Sequence, residues 1–187
     1  GKTRVITFRA IHLIRKGISP HRILLVTFTN KAAREMRDRI EKLAHDNSVS
    51  SFGMIVSTFH SMCLEIMRKS STISKDYKRA NILDTDDVES LIKSINEEHD
   101  MSLDKDEIQG FIHAYSSLRE KALSKDSIRE EIVKFNGVYG NLMDCFDQSM
   151  NHMNALDFSA IMYNFWQELL NNENFRKEVQ EMYDFVM

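Results

Sequence analysis

Within the first seventy residues, two short apolar runs end in hydroxyl and aromatic residues and give way at once to helical patterns. The runs are RILLVTF (22–28) and MIVST (54–58). Each is short, bounded and rich in β-type residues, which marks a fully buried strand. After the first comes TNKAAREMRDRIEKLA (29–44), with Ala33, Met36, Ile40 and Leu43 on one helical face and Thr29 or Asn30 as cap. After the second comes FHSMCLEIMRK (59–69), capped by Ser57 or Thr58. A helix also precedes them, from Thr3 to Lys16, with Val5, Phe8, Ile11 and Ile14 as its buried face and Gly17 and Pro20 as its stop. The order helix, strand, helix, strand, helix predicts a parallel sheet with crossover helices. In such sheets ligands bind beyond the carboxyl ends of the strands. TFTN (27–30) and STFH (57–60) both lie there.

From about residue 74 the strand signals stop. Asp84 caps a helix carrying Val88, Leu91, Ile92 and Ile95. Ile108, Phe111, Ile112 and Tyr115 mark another, and Val138, Leu142, Cys145, Phe146 and Met153 a long one. Asp157 caps FSAIMYNFWQELL (158–170). The final MYDFVM (182–187) turns apolar and reads as the start of a third buried strand. One proline and six glycines in 187 residues agree with a mostly helical chain.

Charge divides the chain at nearly the same place. Residues 1–69 carry 13 Lys and Arg against 5 Asp and Glu, and residues 70–187 carry 12 against 23. A basic first unit suits phosphate, on a nucleotide or a nucleic acid, although two units of opposite charge also simply complement each other. Cys63 and Cys145 have no metal-ligand spacing and read as buried thiols of a reducing, cytoplasmic protein. No apolar run reaches membrane-spanning length.

Three stretches bear chemistry. Gly1-Lys2-Thr3 is how a phosphate-binding P-loop ends, and the helix beginning at Thr3 is the context it needs. There the lysine would bridge terminal phosphates and the threonine hydroxyl would hold Mg²⁺. As a bare tripeptide it also occurs by chance. In TFTNKAAREM (27–36), Phe28 offers an aromatic face for a base. Thr29, Asn30 and the helix-start N–H groups offer phosphate contacts. In STFHSMC (57–63), Thr58, Phe59 and His60 repeat the layout. On residue chemistry alone, two buried strand-end rings and ordinary caps explain these stretches as well, and are the commoner outcome.

GKTR (1–4), TFTNKAAREM and STFHSMC, in this order and spacing, closely resemble the UvrD/Rep/PcrA family of superfamily 1 DNA helicases. ALDFSAIM (155–162) resembles the segment by which that family returns from a helical insertion to its motor core. The resemblance implies an α/β, predominantly helical fold: part of a RecA-like P-loop core with parallel strands over 1–73, an all-α insertion over 74–154, and a return to the core over 155–187. The chain would begin inside the P-loop and stop just before the Asp-Glu pair of the Walker B strand.

Carried over to these positions, Gly1, Lys2, Thr3 and Arg4 would bind ATP, with Lys2 catalytic and Thr3 on Mg²⁺. Phe28, Thr29, Asn30, Thr58, Phe59 and His60 would line a single-stranded DNA track. The implied function is ATP-driven movement on single-stranded DNA and at single-strand/duplex junctions, 3′ to 5′, in repair, replication or recombination. The family's glutamate base, glutamine sensor, arginine fingers and second motor domain have no counterpart here, so the isolated chain is expected to be inactive. The motor of a RecB/AddA-type helicase–nuclease shares these motifs, and a non-catalytic DNA-binding fragment is the alternative from another class.

Overall fold

A computed structural model describes residues 2–187. Contacts divide them into two units: Met67–Asn171 forms one, and the segments on either side of it form the other.

The first unit is built on a three-stranded parallel sheet. Helix α1 (Lys2–Arg15) leads through the positive-φ turn at Gly17 into strand β1 (Ile23–Thr27). Helix α2 (Asn30–Asp46) crosses back to strand β2 (Ile55–Thr58), and helix α3 (Phe59–Lys69) follows without a gap. Thr29 caps α2, its hydroxyl accepting from the Ala32 N–H at 3.1 Å. The apolar face read from the sequence holds: Ala33, Met36, Ile40 and Ala44 are buried, with Leu43 at their margin. They cover β1, whose Ile23, Leu24 and Leu25 are almost wholly enclosed.

The α1 face differs from expectation. Val5 and Phe8 are exposed, and the buried line runs through Thr7, Ala10 and Ile11. The apolar ladder at three-residue spacing falls behind a helix of 3.6 residues per turn, so its two ends cannot share one face. Thr7 is tolerated inside because its hydroxyl donates to the Arg4 carbonyl at 3.0 Å.

Strand β2 pairs parallel with β1 in the register Leu24↔Ile55 to Thr27↔Thr58. The opposite edge of β1 is taken from the far end of the sequence, where Phe185 and Val186 pair with Ile23 and Leu24. The apolar ending therefore does enter the sheet, though Val186 stays exposed. Arg22 fixes this junction by donating to the Glu181 carbonyl and the Asp184 carboxylate.

The second unit is mostly helical: α4 (Thr85–Glu98), α5 (Lys105–Glu120), α6 (Lys125–Ile132), α7 (Tyr139–His152) and α8 (Phe158–Asn171). Its core joins Val88, Ile92 and Ile95 to Ile108, Phe111 and Tyr115 and to Leu142 and Phe146. Asp84 and Asp104 each head a reciprocal capping box, with Asp87 and Glu107 as the returning partners. Residues 74–154 were expected to be free of strands. The structure adds a two-residue parallel pair, β3 (Asn81–Ile82) with β4 (Ala155–Leu156), separate from the first sheet. Two residues are too few to show a strand period. This unit runs to Asn171, past the return near 155 read from the sequence, so α8 is grouped with it. Helix α9 (Glu173–Met182) then leads into β5 (Phe185–Val186) of the first sheet.

The helical unit also holds a charged cluster that no motif announced. Arg119, on α5, is 9 % exposed and donates to Asp157 at 2.7 Å, Ser159 at 3.1 Å and Asp147 at 3.3 Å. Its guanidinium lies 3.9 Å from the centre of the Tyr115 ring, whose hydroxyl donates to Asp147 at 2.6 Å. Burial alone would raise the Asp157 carboxyl. The Arg119 charge and the donors Ser159 and Ala160 outweigh it and hold Asp157 below the ordinary carboxylate range. Asp157 also accepts from the Ala160 N–H at 2.8 Å, so it caps α8 as expected.

Candidate nucleic-acid and nucleotide site

Strands β1 and β2 end side by side, because Thr27 and Thr58 are paired in register. Each strand passes almost directly into a helix, so the residues at both switches share one edge of the sheet. Phe28 is 89 % exposed and Phe59 36 % exposed, and their ring centres lie 5.4 Å apart at an interplanar angle of 49°. A buried strand-end role for Phe28 is thereby ruled out. Thr29, Asn30 and His60 are exposed around the pair.

Two of the proposed contacts are occupied by local structure. The Thr58 side chain is buried, and its hydroxyl donates to the Ser61 hydroxyl at 2.9 Å and accepts from the Ser61 N–H at 3.2 Å. It therefore positions the start of α3. The Thr29 hydroxyl caps α2 but stands exposed, and the Thr27 hydroxyl ties down the Thr29 carbonyl at 3.0 Å. These bonds hold the two helix starts, and so the N–H groups of their first turns, in fixed positions.

Beside the edge, a groove of about 520 Å³ runs between α2 and α3 along β2, lined by Asn30, Arg34, Arg37, Ser57, Ser61 and Glu65 among others. Arg37 donates to the Val56 carbonyl at 2.8 Å, covering part of the outer edge of that strand. Arg34, Arg37 and Ser61 were not singled out from the sequence. For the two arginines the signal was the basic character of α2, and Ser61 lies inside STFHSMC on α3.

Gly1 lies outside the described residues. Lys2, Thr3 and Arg4 are exposed in the first turn of α1, which contains no acidic residue. Arg4 lies 5.5 Å from the centre of the Phe8 ring. A short link, residues 16–22, reverses the chain between α1 and β1. An ammonium, a hydroxyl and helix-start N–H groups without a carboxylate fit a phosphate-bearing ligand. For Mg²⁺, this turn offers the Thr3 hydroxyl, and no cluster of three His, Cys, Asp or Glu among the described residues makes a protein cage. The donor set thus fits an ion carried largely by phosphate oxygens.

Cys63 is buried, and burial pushes its thiol up to about 12, which makes it inert. Cys145 is only partly buried, less enclosed than its helical pattern suggested. No helix among the described residues is long and apolar enough to cross a membrane.

Fold and site together define an α/β protein with a ligand edge where parallel strands meet helix starts, furnished with aromatic, hydroxyl and cationic groups. The family model of the UvrD/REP helicase N-terminal domain matches residues 1–187, and the chain belongs to that family. It is 43 % identical over 96 residues to the ATP-dependent DNA helicase PcrA of Staphylococcus aureus, covering 51 % of this chain and 13 % of that protein. It is 42 % identical over 102 residues to PcrA of Bacillus subtilis, 54 % of this chain and 13 % of the relative. A probable DNA helicase II homolog of Mycoplasma capricolum is 42 % identical over 104 residues, 55 % of this chain and 14 % of that protein. The matched segments thus span only about a seventh of these relatives.

Proposed function

We propose that the chain is part of the first RecA-like motor domain of an ATP-dependent DNA helicase, interrupted by a helical insertion. The observation that carries this is the exposed Phe28–Phe59 pair, set where two parallel strands run into capped helices. Nucleotide chemistry alone has no use for two aromatic rings in water. A single strand does, since bases stack on rings while helix starts and cations hold phosphates. Family membership and the basic balance of residues 1–69 support the same reading.

In this reading Lys2 and Arg4 hold the nucleotide, with Lys2 against the terminal phosphates and Thr3 against Mg²⁺. The bound ion supplies charge neutralisation on the transferring phosphoryl. Phe28 stacks on bases. Asn30, His60 and the N–H groups of α2 and α3 hold the backbone, with the Thr29 and Thr58 hydroxyls fixing those helix starts. ATP-driven opening and closing of the nucleotide cleft then moves the track along DNA. The direction proposed is 3′ to 5′, on single strands and their junctions with duplex, in the cytoplasm, serving repair, replication or recombination. The 187 residues by themselves are proposed to turn over no ATP, because the family's glutamate base and arginine fingers have no counterpart among them.

The test uses the full-length protein. Lys2→Ala should abolish DNA-stimulated ATP turnover while leaving single-strand binding in place. Phe28→Ala should do the reverse, weakening single-strand binding while leaving DNA-free ATP binding unchanged. Unchanged single-strand affinity in a folded Phe28→Ala protein refutes the track.

A further inference from the structure

The helical unit contains a second concave site, unrelated to the strand ends. It is a pocket of about 140 Å³ among α5, α6, α7, α8 and the segment before Tyr77. Its lining carries Lys75, Arg119 and Lys125 against Asp147, and with Arg119 also paired to Asp157 behind it one positive charge is in excess.

That carboxylate is fully engaged. One oxygen accepts from the Tyr115 hydroxyl at 2.6 Å and from Arg119 at 3.3 Å, and the other from Lys125 at 2.7 Å. Lys75 is left over. It is half-buried, and its ammonium has only the Asn151 side-chain oxygen, at a long 3.3 Å, with a Tyr77 ring 5.6 Å away. No carboxylate among the described residues lies within ion-pair distance of it. Burial lowers its pKa, and the attraction of Asp147, opposed by the nearby Arg119, does not offset it. The Asn164 side chain lines the same pocket and has no hydrogen-bond partner among the described residues. The unspent capacity of this pocket thus includes an ammonium and an amide beside a net positive charge. The ligand that completes this set must bring negative charge and acceptor oxygens. The volume equals that of about four or five waters of liquid, enough for a tetrahedral oxyanion.

We propose that the pocket bounded by Lys75, Lys125, Arg119 and Asn164 is a binding site for a phosphate group. Lys75 supplies the main charge and Asn164 a neutral donor. The proposal is independent of the helicase reading, because every residue in it belongs to the helical unit and none to the strand-end edge.

The probe is inorganic phosphate, titrated into the 187-residue chain at constant ionic strength. Equilibrium dialysis should show saturable binding with a component that depends on Lys75, and the melting temperature should rise with the logarithm of phosphate concentration. Lys75→Met should weaken binding at this site at least tenfold and reduce that rise, without lowering the phosphate-free melting temperature, since it removes a half-buried ammonium whose one hydrogen bond is long. Asn164→Leu is the second variant and should weaken binding several-fold in a chain that keeps both lysines. A 5′-phosphorylated dinucleotide that displaces phosphate where its 5′-hydroxyl counterpart does not identifies a strand end as the source. Displacement by neither leaves free phosphate as the source, with the site upheld. Non-saturable uptake, or equal phosphate stabilisation of the wild type and both variants, overturns the proposal.

Discussion

The two rings at the strand ends make a prediction about how they divide the work. With centres 5.4 Å apart and planes inclined at 49°, they leave no room for a base between them. Sandwiching one takes parallel rings about 7 Å apart, two van der Waals contacts thick. Bases therefore meet one free face, and Phe28, far more exposed, presents it. Phe59 packs against the back of Phe28 and holds it. Phe28→Ala removes a stacking partner worth roughly 1–3 kcal/mol per base, which is about a 5- to 150-fold loss of single-strand affinity. It removes little from the core, so stability should fall only by what the ring pair contributes, about 0.5–1.5 kcal/mol. Phe59→Ala should also weaken binding, by releasing Phe28, and Phe59→Tyr should restore it. The assay is fluorescence anisotropy of a labelled oligo-dT on the full-length protein, with all four members of the double-mutant cycle and melting curves as controls. In the Phe28→Ala background, Phe59→Ala should cost nothing further. Fully additive losses would mean that Phe59 touches DNA itself, and the division of roles would be wrong. No loss in Phe28→Ala would remove the platform altogether.

Other expectations concern the frame around these sites. Arg119→Met strands Asp157 and Asp147 in a nearly dry interior and should destabilise the helical unit by about 3–5 kcal/mol, read by denaturant titration. Arg119→Met with Asp157→Leu should recover part of this. Because the folded-state Asp157 carboxyl lies below its ordinary value, its contribution to stability is complete above about pH 4 and is lost as the pH falls through the folded-state value. In Arg119→Met burial acts unopposed by that cation, so acid unfolding followed by circular dichroism should begin at a higher pH than in the wild type. Thr29→Ala removes the α2 cap and should cost about 0.5–2 kcal/mol, whereas Thr29→Ser should keep most of it in the same melting experiment.

What could be read from the sequence depended on how local the cause was. Helix α2 was legible because its cap, its apolar spacing and its position after an apolar run all lie within residues 22–44 and agree. The face of α1 was not, because Val5 and Phe8 fit an apolar ladder as well as Ile11 does, and only packing shows which side meets the sheet. The pair β3–β4 joins residues more than seventy positions apart through two-residue strands, a length that carries no pattern. Arg119 reads as an ordinary solvated helix residue, since its partners Asp147 and Asp157 lie 28 and 38 positions away. Phe28 was named as a candidate, but its letters are the same whether the ring is buried or exposed. Its exposure comes from the structure, and its proposed role from the family.

The sheet of the first unit is discontinuous in sequence, and this affects how the chain is made. Strand β1 leaves the ribosome early, yet its partner β5 lies about 160 residues later. At 5–20 residues per second the delay is roughly 8–30 s, far longer than a helix or hairpin takes to form. Throughout that interval one flank of the apolar strand Ile23–Thr27 has no neighbour from its own sheet, although the continuous helical unit can already collapse on contacts within itself. Open strand edges recruit other strands. A nascent chain of this design therefore carries a sticky edge until Phe185 and Val186 emerge to close it.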